Sequence, residues 1–217
     1  MSSVYAVYGA SGFGREVAPL ARDHIASLVD DVQLVFVDDF SPNDQINGLG
    51  VLSLEQFLAS ENTQKYVSVA IADSAVREKI FSICESEGMI LSTIVAKNSV
   101  ILDDVFIGLG SIVCPFSTIT SNVRIGKGFH CNIYSYVAHD CRIGDFVTFA
   151  PRVMCNGNVI VEDHAYIGTG AIIKQGTTDS PTVIGSGAVV GMGAVVTKSV
   201  PPNVTVVGNP ARILEKK

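Results

Sequence analysis

Apolar residues recur along this chain with two different periods, and the change from one to the other falls near residue 91. Before it, short β-branched runs at 4–8 (VYAVY), 32–37 (VQLVFV) and 65–72 (KYVSVAIA) alternate with segments of helical spacing such as EVAPLARDHIASL. That alternation predicts a small parallel βαβ domain, Rossmann-like, over residues 1–91. A further helix is predicted at about 75–87, with Asp73 or Ser74 as its cap.

Beyond it the period becomes six. Val95, Ile101, Ile107, Val113, Ile119, Ile125, Cys131, Val137, Ile143, Phe149, Cys155, Val161, Ile167 and Ile173 are all apolar. Four residues after many of them stands a small side chain, as at Ser111, Ser117, Ser135, Cys141, Ala165 and Ala171. Glycine follows directly at Gly108, Gly126, Gly144 and Gly168. A six-residue unit cannot bury a face alone, but three of them make one triangular coil that stacks on the next about 4.8 Å away. The prediction for 92–217 is a parallel β-helix. The step from Ile173 to Ile184 is eleven, so KQGTTDSPT reads as a loop protruding from one coil before the period resumes at Val190 and Val196.

Composition narrows the function. With 217 residues, 47% of them apolar, the chain can bury substantial cores. A net charge of -6 without any Lys/Arg cluster argues against nucleic acid as a partner. No apolar run approaches a membrane span, and no basic segment with an apolar stretch opens the chain, so a cytoplasmic location is expected. The five cysteines, Cys84, Cys114, Cys131, Cys141 and Cys155, are odd in number and form no C-x-x-C pair. Buried free thiols are expected, with neither disulfides nor a structural zinc site.

Two places carry candidate chemistry. Gly9, Gly12 and Gly14 follow the first strand as G-x-x-G-x-G, which is not the dinucleotide spacing G-x-G-x-x-G. Glycines still let a phosphate approach the backbone, and a following helix offers it unpaired N–H groups, or else they serve a tight strand-to-helix turn with no ligand. Asp38 and Asp39, at the end of the second strand, stand where carboxylates accept from a ribose or a base, or else cap a turn. His139 is two residues beyond inward Val137, so its ring projects out of the coil, and the adjacent Asp140 can fix its tautomer.

Taken together, YGASGFG at the start, VDDF at 37–40, VAIADSAVREKI at 69–80, NIYSYVAHDCRIGDF at 132–146, CNGNV at 155–159 and GNPAR at 208–212 carry a resemblance. They resemble bacterial hexapeptide-repeat acetyltransferases of nucleotide-linked amino sugars, of the bacillosamine-biosynthesis and sialic-acid O-acetyltransferase kind. The resemblance implies a left-handed β-helix, a homotrimer, and acetyl-CoA in the groove between neighbouring copies. It implies N-acetylation of a nucleotide-linked 4-amino-4,6-dideoxy sugar for surface glycan synthesis, with His139 as general base and Asp140 supporting it. The N–H of Gly157 would face the thioester oxygen. Gly9, Ser11, Gly12, Phe13, Asp38, Asp39 and Asn132 would contact the nucleotide sugar. Gly168, Gly191 and Gly193 would follow the pantetheine arm, with Pro210 and Arg212 near the adenine end. Two positions depart from the family pattern: Phe13 and Thr148 stand where relatives often carry histidine.

Rival readings remain open on sequence alone. Sialic-acid-type O-acetylation needs the same scaffold and base. A γ-carbonic-anhydrase-like zinc enzyme would need His130, His139 and His164 together, though their spacing is not that family's. A nucleotide-sensing scaffold without activity would leave the His139-Asp140 pair unexplained. The nucleotide base cannot be read from Asp38 and Asp39.

Overall fold

The computed structural model describes residues 3–26, 32–61 and 64–215. Its contacts divide the chain between Val95 and Ala96. The first part runs β1 (Ser3–Tyr8), α1 (Gly12–Ile25), β2 (Val32–Val37), β3 (Gln45–Ile46), β4 (Leu49–Leu52), α2 (Leu54–Ala59), β5 (Gln64–Val69), α3 (Ser74–Ser86) and β6 (Ile90–Leu91). The last residues of the helix expected from EVAPLARDHIASL, 27–28, lie outside the described residues.

The sheet order is β3-β4-β2-β1-β5-β6, with β1 parallel to both β2 and β5. The chain leaves β1 toward β2 on one side and later returns to β5 on the other. Such a reversal opens a crevice beyond the carboxyl ends of the strands. Strand β1 is buried along its whole length, as a central parallel strand must be. Helix α1 turns Val17, Ala18, Ala21 and Ile25 inward at helical spacing. Helix α3 starts at Asp73, whose carboxylate accepts the Val76 N–H at 2.9 Å, and it buries Ile80, Phe81 and Cys84.

The second part is a parallel β-helix of three walls. In one coil, His130–Cys131, Tyr136–Val137 and Arg142–Ile143 form the first, second and third walls. Residues 132–135, 138–141 and 144–147 make the corresponding corners. Up to the insertion each strand pairs with the one eighteen residues on, as His130 with Thr148 and Tyr136 with Met154. The inward positions from Val113 to Ile173 form one apolar column, and Ser111, Ser117 and Ser135 fill the corners beneath them. Ser135 Oγ donates to the Ala150 carbonyl at 3.0 Å, which satisfies its hydroxyl inside the core.

Two features differ from the repeat as read from sequence. Val95 and Ile101 are 38% and 37% exposed, because the first coil has no earlier coil stacked on it. In addition, the corners carry a left-handed residue that the six-step does not reveal. At the second corner these are Asp104, Asn122, Asp140 and Asn158, each with φ between 52° and 60°. Asn and Asp tolerate that conformation best among residues with a Cβ. The KQGTTDSPT insertion extends the same second corner. Tyr166 pairs with Val189, twenty-three residues on, so that coil is five residues longer than the one before it.

Candidate active site

The second corner builds the site. Asp140 occupies the left-handed position, which turns its carboxylate back toward the preceding side chain. Its Oδ2 lies 2.7 Å from His139 Nδ1, and Oδ1 accepts from Asn122 Nδ2 at 3.2 Å. These bonds hold the Asp140 carboxyl below the usual carboxylate range, the His139 bond contributing most. An ionised Asp140 accepts a proton-bearing Nδ1, so neutral His139 keeps its free electron pair on Nε2. The His139 side chain is 60% exposed, so the ring is presented to solvent and fills no core space.

Eighteen residues on, in the next coil, Gly157 lies directly against that ring. A Cβ at Gly157 would come within 2.5 Å of both His139 Nε2 and Cε1. The missing side chain is therefore what lets the imidazole lie so close to the next coil. The Gly157 carbonyl accepts the N–H of Gly176 at 3.0 Å, which ties the 174–181 loop to this corner. Among the described residues the Gly157 N–H has no protein acceptor. A concavity of about 520 Å³ opens beside Asp140, lined by Asn122, Arg124, Arg142, Asn158, Thr177 and Thr178.

Other expected residues lie elsewhere. Asn132 is on the first corner, where its amide donates to the Phe149 carbonyl at 3.0 Å; one chain does not bring it to His139. Thr148 is buried on the first wall between His130 and Tyr166. The three β-helix histidines are likewise apart: His130 on the first wall, His139 at the second corner, and His164 at the third, stacked on Phe146. Glycines expected along a pantetheine arm have structural reasons of their own. A Cβ at Gly168 would meet the Met192 nitrogen at 2.6 Å, and one at Gly191 would meet Val207 at 2.8 Å. Gly193 takes the left-handed corner conformation, with φ at 66°. Arg212 follows the cis Asn209–Pro210 bond in the final strand and donates to its neighbour's carbonyl at Ala211.

The front loop separates its glycines in the same way. Gly14 carries α1 against the Gly9 carbonyl, where a Cβ would overlap that oxygen, and a Cβ at Gly9 would lie 2.8 Å from Ile71. Gly12 has open space around it. Ser11 stands at the N-cap of α1 without using its hydroxyl as a cap, and the first turn holds no acidic residue to repel an anion. Phe13 is half-buried in that turn. Asp38 and Asp39 are more engaged than their positions in sequence reveal. Asp38 accepts from the N–H groups of Ala10 and Phe40, at 2.9 and 3.0 Å. Asp39 accepts from the Leu54 N–H at 2.8 Å and from the Tyr8 hydroxyl at 3.2 Å. Sequence reasoning also passed over Arg77, a fully buried guanidinium that donates to the Ile71 carbonyl at 2.6 Å and the Ala72 carbonyl at 3.2 Å. Burial lowers its pKa to about 10.

A β-helix of hexapeptide coils with an outward His–Asp pair at one corner, joined to a parallel α/β domain, defines a hexapeptide-repeat acyltransferase; the helix is left-handed. Comparison with known proteins makes this more specific. The PglD N-terminal domain family matches residues 5–83. The GDP-perosamine N-acetyltransferase of Escherichia coli O157:H7 is 50% identical over 215 residues, 99% of this chain and 97% of that protein. The solved structure of WeeI from Acinetobacter baumannii AYE matches with a TM-score of 0.94 at 58% identity, over 98% of this chain and 100% of that one. The acetyltransferase domain of PglB from Neisseria gonorrhoeae FA1090, in complex with acetyl coenzyme A, matches at 0.84 and 30% identity, over 99% and 100%. The chain belongs to the nucleotide-sugar N-acetyltransferase family. Among the described residues no helix is long and apolar enough to cross a membrane.

Proposed function

We propose that the protein transfers the acetyl group of acetyl-CoA to the 4-amino group of a GDP-linked 4-amino-4,6-dideoxy sugar, with GDP-perosamine the first substrate to try. The E. coli relative, half identical over nearly its whole length, supports that sugar over the bacillosamine type expected from sequence. The observation carrying the chemistry is the second corner: His139 oriented by Asp140 at 2.7 Å, with its ring laid on Gly157.

In this reading His139 Nε2 accepts the proton released as the sugar nitrogen attacks the thioester carbon. The C–N bond forms and a tetrahedral oxyanion develops. When the C–S bond breaks, the imidazolium returns the proton to the departing sulfur, so no proton is gained or lost. Asp140 holds Nδ1 throughout and stabilises the transient positive charge. The unengaged Gly157 N–H is the donor for the oxyanion, a contribution of about 3 kcal/mol where water is excluded. Gly12 and Ser11 at the head of α1 receive the diphosphate. In this reading Asn132 comes from another copy, in a homotrimer with acetyl-CoA lying between chains, and Arg212 and Pro210 lie at its nucleotide end. All five cysteines are free and buried, in keeping with a cytoplasmic, reducing location.

Thiol release from acetyl-CoA, measured with a panel of nucleotide amino sugars, tests the assignment. Release with GDP-perosamine and a product heavier by one acetyl group supports it. Release only with a sialic acid hydroxyl acceptor would contradict it.

A further inference from the structure

Phe40 is 95% exposed, although Phe36, Phe57 and Phe81 of the same domain are wholly buried. An exposed phenyl forgoes the entire gain of leaving water. It makes no aromatic contact among the described residues. Yet the backbone leading into it is held by hydrogen bonds. Asp38 accepts the Phe40 N–H in a tight turn and with its other oxygen grips Ala10, at the head of the glycine loop. The Asp38 N–H donates to the Leu52 carbonyl, and Asp39 is fixed by Leu54 and Tyr8. One carboxylate thus links the turn carrying the phenyl to the loop proposed for the diphosphate. The two N–H groups lie less than about 8 Å apart, the sum of two hydrogen bonds and one carboxylate. That is the order of separation between the phosphates and the base of a nucleotide.

We infer that Phe40 is the stacking platform for the nucleobase of the sugar nucleotide. The inference rests on the reading that the front loop receives the diphosphate. The phenyl face takes any base, so Phe40 supplies affinity, and discrimination between bases falls to polar groups. Asp38 and Asp39 then act as positioning residues: their oxygens hold the loop, the turn and the ring at a set spacing. This explains why a carboxylate pair placed for ribose or base contact is spent on internal hydrogen bonds.

The chain contains no tryptophan, so Phe40→Trp in the full-length protein creates a single fluorescent reporter at the platform. GDP should quench it, while inorganic pyrophosphate should leave it nearly unchanged. By calorimetry, Phe40→Ala should weaken GDP binding about 5- to 150-fold, the range for loss of one base–aromatic stack, and Phe40→Tyr should restore it. Equal GDP affinity for the parent and Phe40→Ala would overturn the inference. So would a change of oligomeric state in Phe40→Ala at unchanged GDP affinity, which would assign the ring to a second copy. A parent protein that binds neither GDP nor pyrophosphate would overturn the loop reading itself, a result distinct from failure of the stack.

Discussion

Gly157→Ala is the perturbation that most sharply separates geometry from composition at this site. The added Cβ would lie 2.5 Å from His139 Nε2 and Cε1 and 3.1 Å from Cδ2. Carbon contacts settle at about 3.5–4.0 Å, so the ring must withdraw by about 1 Å or more. The backbone has no reason to resist, since Gly157 is not among the residues with positive φ. The ring can yield cheaply because it is exposed, but moving it breaks the 2.7 Å bond to Asp140. Stability should therefore change little, with Tm within about 2 °C of the parent. A misplacement of about 1 Å costs about 10²-fold in rate, equivalent to about 2.7 kcal/mol in the barrier. Steady-state assay of CoA release should show kcat lowered by that factor and a nearly unchanged KM for acetyl-CoA. In a His139→Ala background the same methyl group meets no ring and should cost almost nothing further. A full 10²-fold loss in that background would show that Gly157 acts independently of the histidine. A Gly157→Ala enzyme within threefold of the parent kcat would refute the packing argument altogether.

Asp140→Asn keeps a side chain suited to the left-handed corner and should lower kcat about tenfold, by weakening the hold on Nδ1, with Tm unchanged. Asp140→Ala should add backbone strain and lower Tm by about 2–4 °C in thermal melts. Asp38→Ala frees the N–H groups of Ala10 and Phe40 together, so KM for the nucleotide sugar should rise at least fivefold while KM for acetyl-CoA stays level. The pH dependence follows from the Asp140 shift: its carboxyl is depressed, so the support it gives is complete above the ordinary carboxylate range. That support is lost only as pH falls through the lowered value. Above that range the acidic limb of kcat should have unit slope, from the imidazole alone.

The β-helix was legible because its period lies in the inward residues, which have no alternative role: Val113, Ile119, Ile125 and their successors have nowhere to point but the core. The outward position of His139 was legible for the converse reason, being two positions out of that phase. What escaped was the relation between coils. The eighteen-residue spacing that sets His139 on Gly157 is in the sequence, as is the ladder Asp104, Asn122, Asp140 and Asn158, but both appear only when three six-residue steps are counted as one turn. Asn132 and His139 are seven residues apart, one step and one residue, which already assigns them to different corners. Asp38 and Asp39 could not be decided from sequence, since a carboxylate after a strand serves a turn and a ligand equally well. Arg77 was missed because its α3 segment reads as an ordinary amphipathic helix, with nothing local to mark the buried guanidinium.

The most direct test of the account is the pH profile of kcat for acetyl transfer to GDP-perosamine, measured on the parent and on His139→Ala at saturating acetyl-CoA. The parent should lose rate on the acid side with unit slope as the imidazole takes up its proton. The variant should retain its fold, run about 10²–10⁴-fold slower, and show no such limb. A His139→Ala protein with near-parental kcat and the same acidic limb would mean that the proton leaves the sugar amine by another route, and that the second corner is not the catalytic centre.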